Sequence, residues 1–163
     1  MQAWPFILAS LVIHVGYYFA LAGAYQHGEL GLTYPLMRGT APMLVALASM
    51  AVLGEALTPW GWLGVVLICG GVLLLGSGAA LVQNRKAVMF ALSNAVLIAI
   101  YTVVDALGAR AAVHGGGNAF QYVALLFVLD GWPFALIVLH LAAGLYHGLI
   151  RRDGVLASMT GGR

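Results

Sequence analysis

Residues 60–81, WGWLGVVLICGGVLLLGSGAAL, run for 22 positions without a single charged or histidine side chain. A helix needs about 20 predominantly apolar residues to cross the hydrocarbon core of a bilayer. This stretch has that length, and it opens after Thr58-Pro59, a pair suited to a helix N-cap and first turn. Four runs of the same kind surround it, at about residues 5–25, 32–53, 87–107 and 119–141. Polar breaks separate them: Gln26-His27-Gly28-Glu29, Gly54-Glu55, Asn84-Arg85-Lys86 and His114-Gly115-Gly116-Gly117-Asn118.

The composition of the whole chain agrees with this reading. Of 163 residues, 63% are hydrophobic and 7% charged, whereas soluble domains carry roughly 25% charged residues. A soluble fold of this size has no interior large enough to hide so much apolar surface. The expected architecture is therefore all-α, a polytopic membrane helix bundle of about five transmembrane helices. Its connections are too short for a soluble domain, so neighbouring spans should run antiparallel. No basic n-region precedes the first run, which reads as a span rather than a signal peptide. Arg85, Lys86, Arg151 and Arg152 fall on one side of this arrangement and Arg110 on the other. The positive-inside rule then places the loop at Arg85 and the polar tail in the cytoplasm, with the N-terminus outside.

Several functional classes are excluded at this level. Net charge is +2 with no basic block, so nucleic acid is not an expected partner. One cysteine, Cys69, allows no disulfide framework, and His27, His114, His140 and His147 lack metal-ligand spacing. No nucleophile elbow, zinc-protease helix, phosphate-binding loop or dinucleotide glycine pattern occurs. The expectation is a membrane protein that is not an enzyme and uses no cofactor and no metal. Its expected partner at this level is the lipid bilayer.

Ionisable groups inside spans cost about 2.5 kcal/mol or more at a helix centre on insertion scales, and so mark candidate sites. Arg38 lies one to two turns into the second run, within Tyr34-Pro35-Leu36-Met37-Arg38-Gly39-Thr40-Ala41-Pro42. Two prolines and a glycine there are expected to weaken the helix ladder, as in the discontinuous helices of transporter sites. Tyr34 and Arg38, four apart, share a face. The alternative for Arg38 is a shallow cation reaching headgroups beside an aromatic anchor. Asn94, Ile98, Tyr101 and Asp105 follow a 4-3-4 spacing, one helical stripe, and should face the bundle interior. Asp105 reads either as a partner for a cation such as Arg38, or a proton acceptor, or as a solvated group near Arg110. Asp130 sits in the fifth run beside Gly131 and Pro133, a local break. Glu55 reads as an interfacial or capping group, and His14 as a packed polar residue three positions from Tyr17. The glycines of the third run, Gly61, Gly64, Gly70, Gly71, Gly76 and Gly78, predict a closely packed structural helix.

The stretch Ala24-Tyr25-Gln26-His27-Gly28-Glu29-Leu30, the segment from Tyr34 to Pro42, Leu53-Gly54-Glu55-Ala56-Leu57-Thr58 and Gly64 to Val72 occur in an order and spacing that resemble an EamA-type repeat of the drug/metabolite transporter superfamily. Residues 101–110, YTVVDALGAR, resemble the opening helix of a second such repeat. The resemblance covers roughly residues 4–143 and implies an inverted 5+5 arrangement of ten spans moving small metabolites or drugs by alternating access. Aligned this way, residues 1–83 are the last three spans of a first repeat and residues 84–147 the first two of a second, with a polar tail at 148–163. The chain is then the central part of a longer transporter, or a half that assembles as a homo-oligomer. The implied location is a multi-pass cell membrane, such as the bacterial inner membrane. A small-molecule substrate would contact Tyr34, Arg38, Tyr101 and Asp105 near the midplane, with Asn94 supporting, and Asp105 or Asp130 would couple protons. The alternative is a non-transporting membrane protein, either a truncated inactive remnant or an assembly subunit.

Overall fold

Pro5 stands in the first turn of helix α1 (Trp4–His27), where its missing N–H removes no helical hydrogen bond. The computed structural model that places this helix describes residues 2–75 and 84–151. Gly28 leaves the helix in an extended conformation, its N–H held by the Ala24 carbonyl at 3.0 Å. Glu29 then starts α2 (Leu30–Leu53), which closes at Gly54 in the left-handed region, φ +68°. A side chain would be strained at that φ, which is why glycine ends the helix there. Helix α3 (Pro59–Leu75) begins as its sequence suggests, with the Gly61 N–H donating to Thr58 Oγ1 at 3.1 Å. Helix α4 (Arg85–His114) follows, then α5 (Ala119–Asp130), α6 (Trp132–Leu145) and a π-helical turn, Tyr146–Arg151.

The described residues are all-helical, without a strand. Among the described residues, three helices, α1, α2 and α4, are long and apolar enough to cross a membrane, while α3 and α5 are shorter apolar helices. The third expected span continues beyond Leu75 into residues outside the description, and Gly76 and Gly78 lie there too. The fifth run divides at Gly131, between α5 and α6. A Cβ at Gly131 would stand 2.6 Å from the Phe127 carbonyl oxygen, so glycine is required for the turn to close there. Helical structure also runs past His147 to Arg151, into the segment read as polar tail.

The chain forms two compact units, residues 1–123 and 124–163. In the first, α4 packs against both α1 and α2, which scarcely touch each other, and α2 packs on α3. The reason lies in one stripe of α4. Ala87, Ala91, Ala95 and Ala99, four residues apart, are all buried, and small side chains let helices approach closely. Ala91 meets Ala24 of α1 and Met37 of α2, and Ala95 with Ile98 meets Ala41 of α2. On α1, Gly23 lies against the Phe90 ring and Gly28 against Ala87 and Thr33, with no room for a Cβ at either glycine.

The α3 glycines do something different from what their number suggests. Gly64, Gly70 and Gly71 have no neighbour within Cβ reach among the described residues. The tight point between α2 and α3 is Gly39, where a Cβ would stand 3.0 Å from Leu73 Cγ.

Helix directions within this unit follow from its end contacts. Asn84 Nδ2 donates to the His27 carbonyl, joining the start of α4 to the end of α1. At the opposite end Arg110 pairs with Glu55, joining the last turns of α4 to the α2–α3 connection. So α1 and α2 run antiparallel, and α4 runs with α2.

Candidate functional site

Asn94, Ile98, Tyr101 and Asp105 share one inward stripe of α4: Asn94 and Ile98 are buried, Tyr101 and Asp105 half-buried. Asn94 Nδ2 donates to the Tyr17 carbonyl of α1 at 3.0 Å. An amide with only 1% exposure in an apolar seam needs such a partner. Tyr101 takes two aromatic contacts from α1. His14 stacks on it with centroids 4.4 Å apart, and Tyr17 meets it edge-on at 6.1 Å. His14 is oriented from its own helix, since its Nδ1 donates to the Ser10 carbonyl at 2.9 Å. Asp105, one turn further on, accepts the Tyr122 hydroxyl of α5 at 3.1 Å.

The seam between α1 and α4, extended to α5 by Tyr122, is thus a chain of buried and half-buried polar and aromatic groups, and four of its members come from outside the expected site. Ser10, Tyr17 and Tyr122 carry no sequence signal of a role. His14 sits in the apolar run as a lone polar residue, and that was the one available clue.

Tyr34 and Arg38 lie on α2, and the guanidinium carbon stands 5.9 Å from the Tyr34 ring centroid, as their four-residue spacing requires. The helix beneath them is not broken: α2 runs through Pro35 and Pro42 as one continuous helix. Each proline removes a single N–H, and flanking hydrogen bonds with tertiary packing hold the turn. Pro42 is nevertheless placed so that the Arg38 carbonyl, four residues earlier, receives no helical N–H from it.

Arg38 and Pro42 line an open cavity of about 740 Å³ bounded by α2, α3, α4 and the α2–α3 connection. Its wall on α2 follows the helical period, Arg38, Ala41, Pro42, Val45, Ala46 and Ser49. Val65 of α3 and Ile98 of α4 face it, and Glu55 stands at the end away from Arg38. The volume falls within the about 300–1,000 Å³ typical of small-molecule pockets. Of its two charged residues, Glu55 is paired with Arg110. Among the described residues no carboxylate is paired with Arg38. The residue lies eight positions into α2, about 12 Å along the axis.

Of the expected site residues, then, the structure brings Asn94, Tyr101 and Asp105 to one seam and Tyr34 with Arg38 to another place on α2. Only Arg38 lines the cavity. Asp130 closes α5 and belongs to the second unit. Among the described residues no cluster of three or more His, Cys, Asp or Glu could hold a metal ion.

No known family model matches the chain, and no solved structure matches it.

Proposed function

We propose that the chain is a secondary transporter of small organic metabolites or drugs, or the central part of one, working by alternating access. It would sit in a cell membrane as a multi-pass protein, the bacterial inner membrane being the compartment that suits it. The observation that carries the reading is the cavity beside Arg38: a small-molecule-sized space between helices, lined mostly by apolar residues, with Arg38 at one end lacking a carboxylate partner among the described residues and Glu55 at the other paired with Arg110. Such sites bind through an apolar wall with a few placed polar groups. An ionisable residue kept inside an apolar helix despite its cost is a functional residue by default. The motif order that resembles two adjoining EamA-type repeats supports the same reading independently. In it, α1, α2 and α3 close a first repeat and α4 opens a second. The cavity then lies where first-repeat helices meet α4.

Cells expressing the gene, screened for uptake of metabolites and resistance to drugs, test the proposal. Arg38→Ala should abolish the flux found while the amount of protein in the membrane stays unchanged. Transport unaffected by Arg38→Ala would sink the assignment of the site.

A further inference from the structure

We infer that the α2–α3–α4 cavity takes an organic anion with an apolar body, the anionic group at Arg38 and the body along α2 toward Ser49. This rests on the transporter reading for its purpose, but the binding chemistry is argued from the cavity alone. Three observations set the charge. Arg38 has no carboxylate partner among the described residues, and its contact is the Tyr34 ring at 5.9 Å. The cavity's other charged residue, Glu55, is paired with Arg110, so the charge left for a ligand to match is that of Arg38, at one end. A guanidinium placed this way on an apolar helix is completed by a carboxylate, sulfonate or phosphate, which it grips with paired N–H donors.

The remaining walls set the body. Ala41, Pro42, Val45, Ala46, Val65 and Ile98 present no charge and no side-chain hydrogen-bonding group. Ser49, eleven residues beyond Arg38, adds a hydroxyl about 16 Å along the helix. A small hydrophilic anion would leave this wall unused, and a cation would meet Arg38. A free organic acid and a lipid with a phosphate head share the chemistry described, an anionic head on an apolar body, and one experiment separates them.

The purified full chain in nanodiscs of zwitterionic lipid is titrated calorimetrically with 4-phenylbutyrate, 4-phenylbutanol and 4-phenylbutylamine, which share a body and differ in the head. The carboxylate should bind at least about tenfold tighter than the alcohol, and the amine weakest. Arg38→Gln should remove the difference between acid and alcohol, and Arg38→Lys should retain part of it. Ala46→Leu, which fills the wall, should weaken all three ligands. Adding anionic phosphatidylglycerol to the nanodiscs assigns the site. Competition with 4-phenylbutyrate would identify the lipid headgroup as the occupant, and unchanged affinity a free organic acid. Equal affinity for the three heads, or an acid preference that survives in Arg38→Gln, would overturn the inference. Anion binding without flux would fail the transporter reading alone. Flux of neutral or cationic compounds that persists in Arg38→Gln would fail the anion inference alone.

Discussion

Gly108 is a position where one added carbon should be costly. It lies on α4 under the Tyr122 phenol, and a Cβ built there would stand 2.6 Å from Tyr122 Cε2 and closer still to Cζ and the hydroxyl oxygen. Tyr122 is only 3% exposed and its hydroxyl is held by Asp105 at 3.1 Å, so the ring cannot swing aside without losing that bond. Overpacking of this kind costs about 1–3 kcal/mol. Loss of the Tyr122–Asp105 hydrogen bond adds about 0.6–1.7 kcal/mol on the scale of bonds between membrane helices. Alanine returns up to about 1 kcal/mol of helix propensity over glycine. The net expectation for Gly108→Ala is a destabilisation of about 1–4 kcal/mol. It would be measured by reversible unfolding in mixed micelles titrated with SDS, followed by tryptophan fluorescence. Gly71→Ala is the control, since no atom of the described residues lies within reach of its Cβ, and it should be neutral or slightly stabilising. In a Tyr122→Ala background the steric conflict disappears, so adding Gly108→Ala there should cost nothing. A Gly108→Ala protein as stable as Gly71→Ala, or an equal cost in both backgrounds, would refute the reasoning.

Two other perturbations separate the seam from the surface. Asn94→Ala should destabilise by about 0.6–1.7 kcal/mol in the same assay, because the Tyr17 carbonyl keeps its own helical N–H when the amide is removed; a loss above about 4 kcal/mol would mean the amide does more than bridge α1 and α4. The Glu55–Arg110 pair, with side chains 58% and 45% exposed, should show a double-mutant coupling of about 0.2–1 kcal/mol at low ionic strength. That coupling should vanish near 1 M salt, where the Debye length is about 3 Å, and a salt-independent value would contradict its exposed placement.

Parts of this architecture were readable residue by residue because they are local. The Gln26–Glu29 break, the Thr58-Pro59 start and the Gly131 interruption each act on the backbone within a turn of where they stand. The Asn94–Asp105 stripe is equally legible, since helical period alone puts its members on one face. The α2 prolines misled in one respect. Pro35 and Pro42 suggest a broken helix, yet the turn between them holds, because each removes one donor and the neighbouring residues keep theirs. The α3 glycines misled in another. A glycine permits close approach without specifying a partner, and the close approach in fact occurs at Gly39 and along the α4 alanines.

The apolar runs, their lengths and their breaks are properties of consecutive residues, and so the helical class and the three long apolar helices follow from the sequence by itself. What packs against what does not. Asn94 reaches a carbonyl 77 positions away and Arg110 a carboxylate 55 positions away. Contacts at such separations leave no period in a single chain for a reader to detect. Only the tertiary structure decides that α4 enters between α1 and α2, because shape and volume along the Ala87–Ala99 stripe select that seam. That placement in turn gives the cavity at Arg38 its third wall.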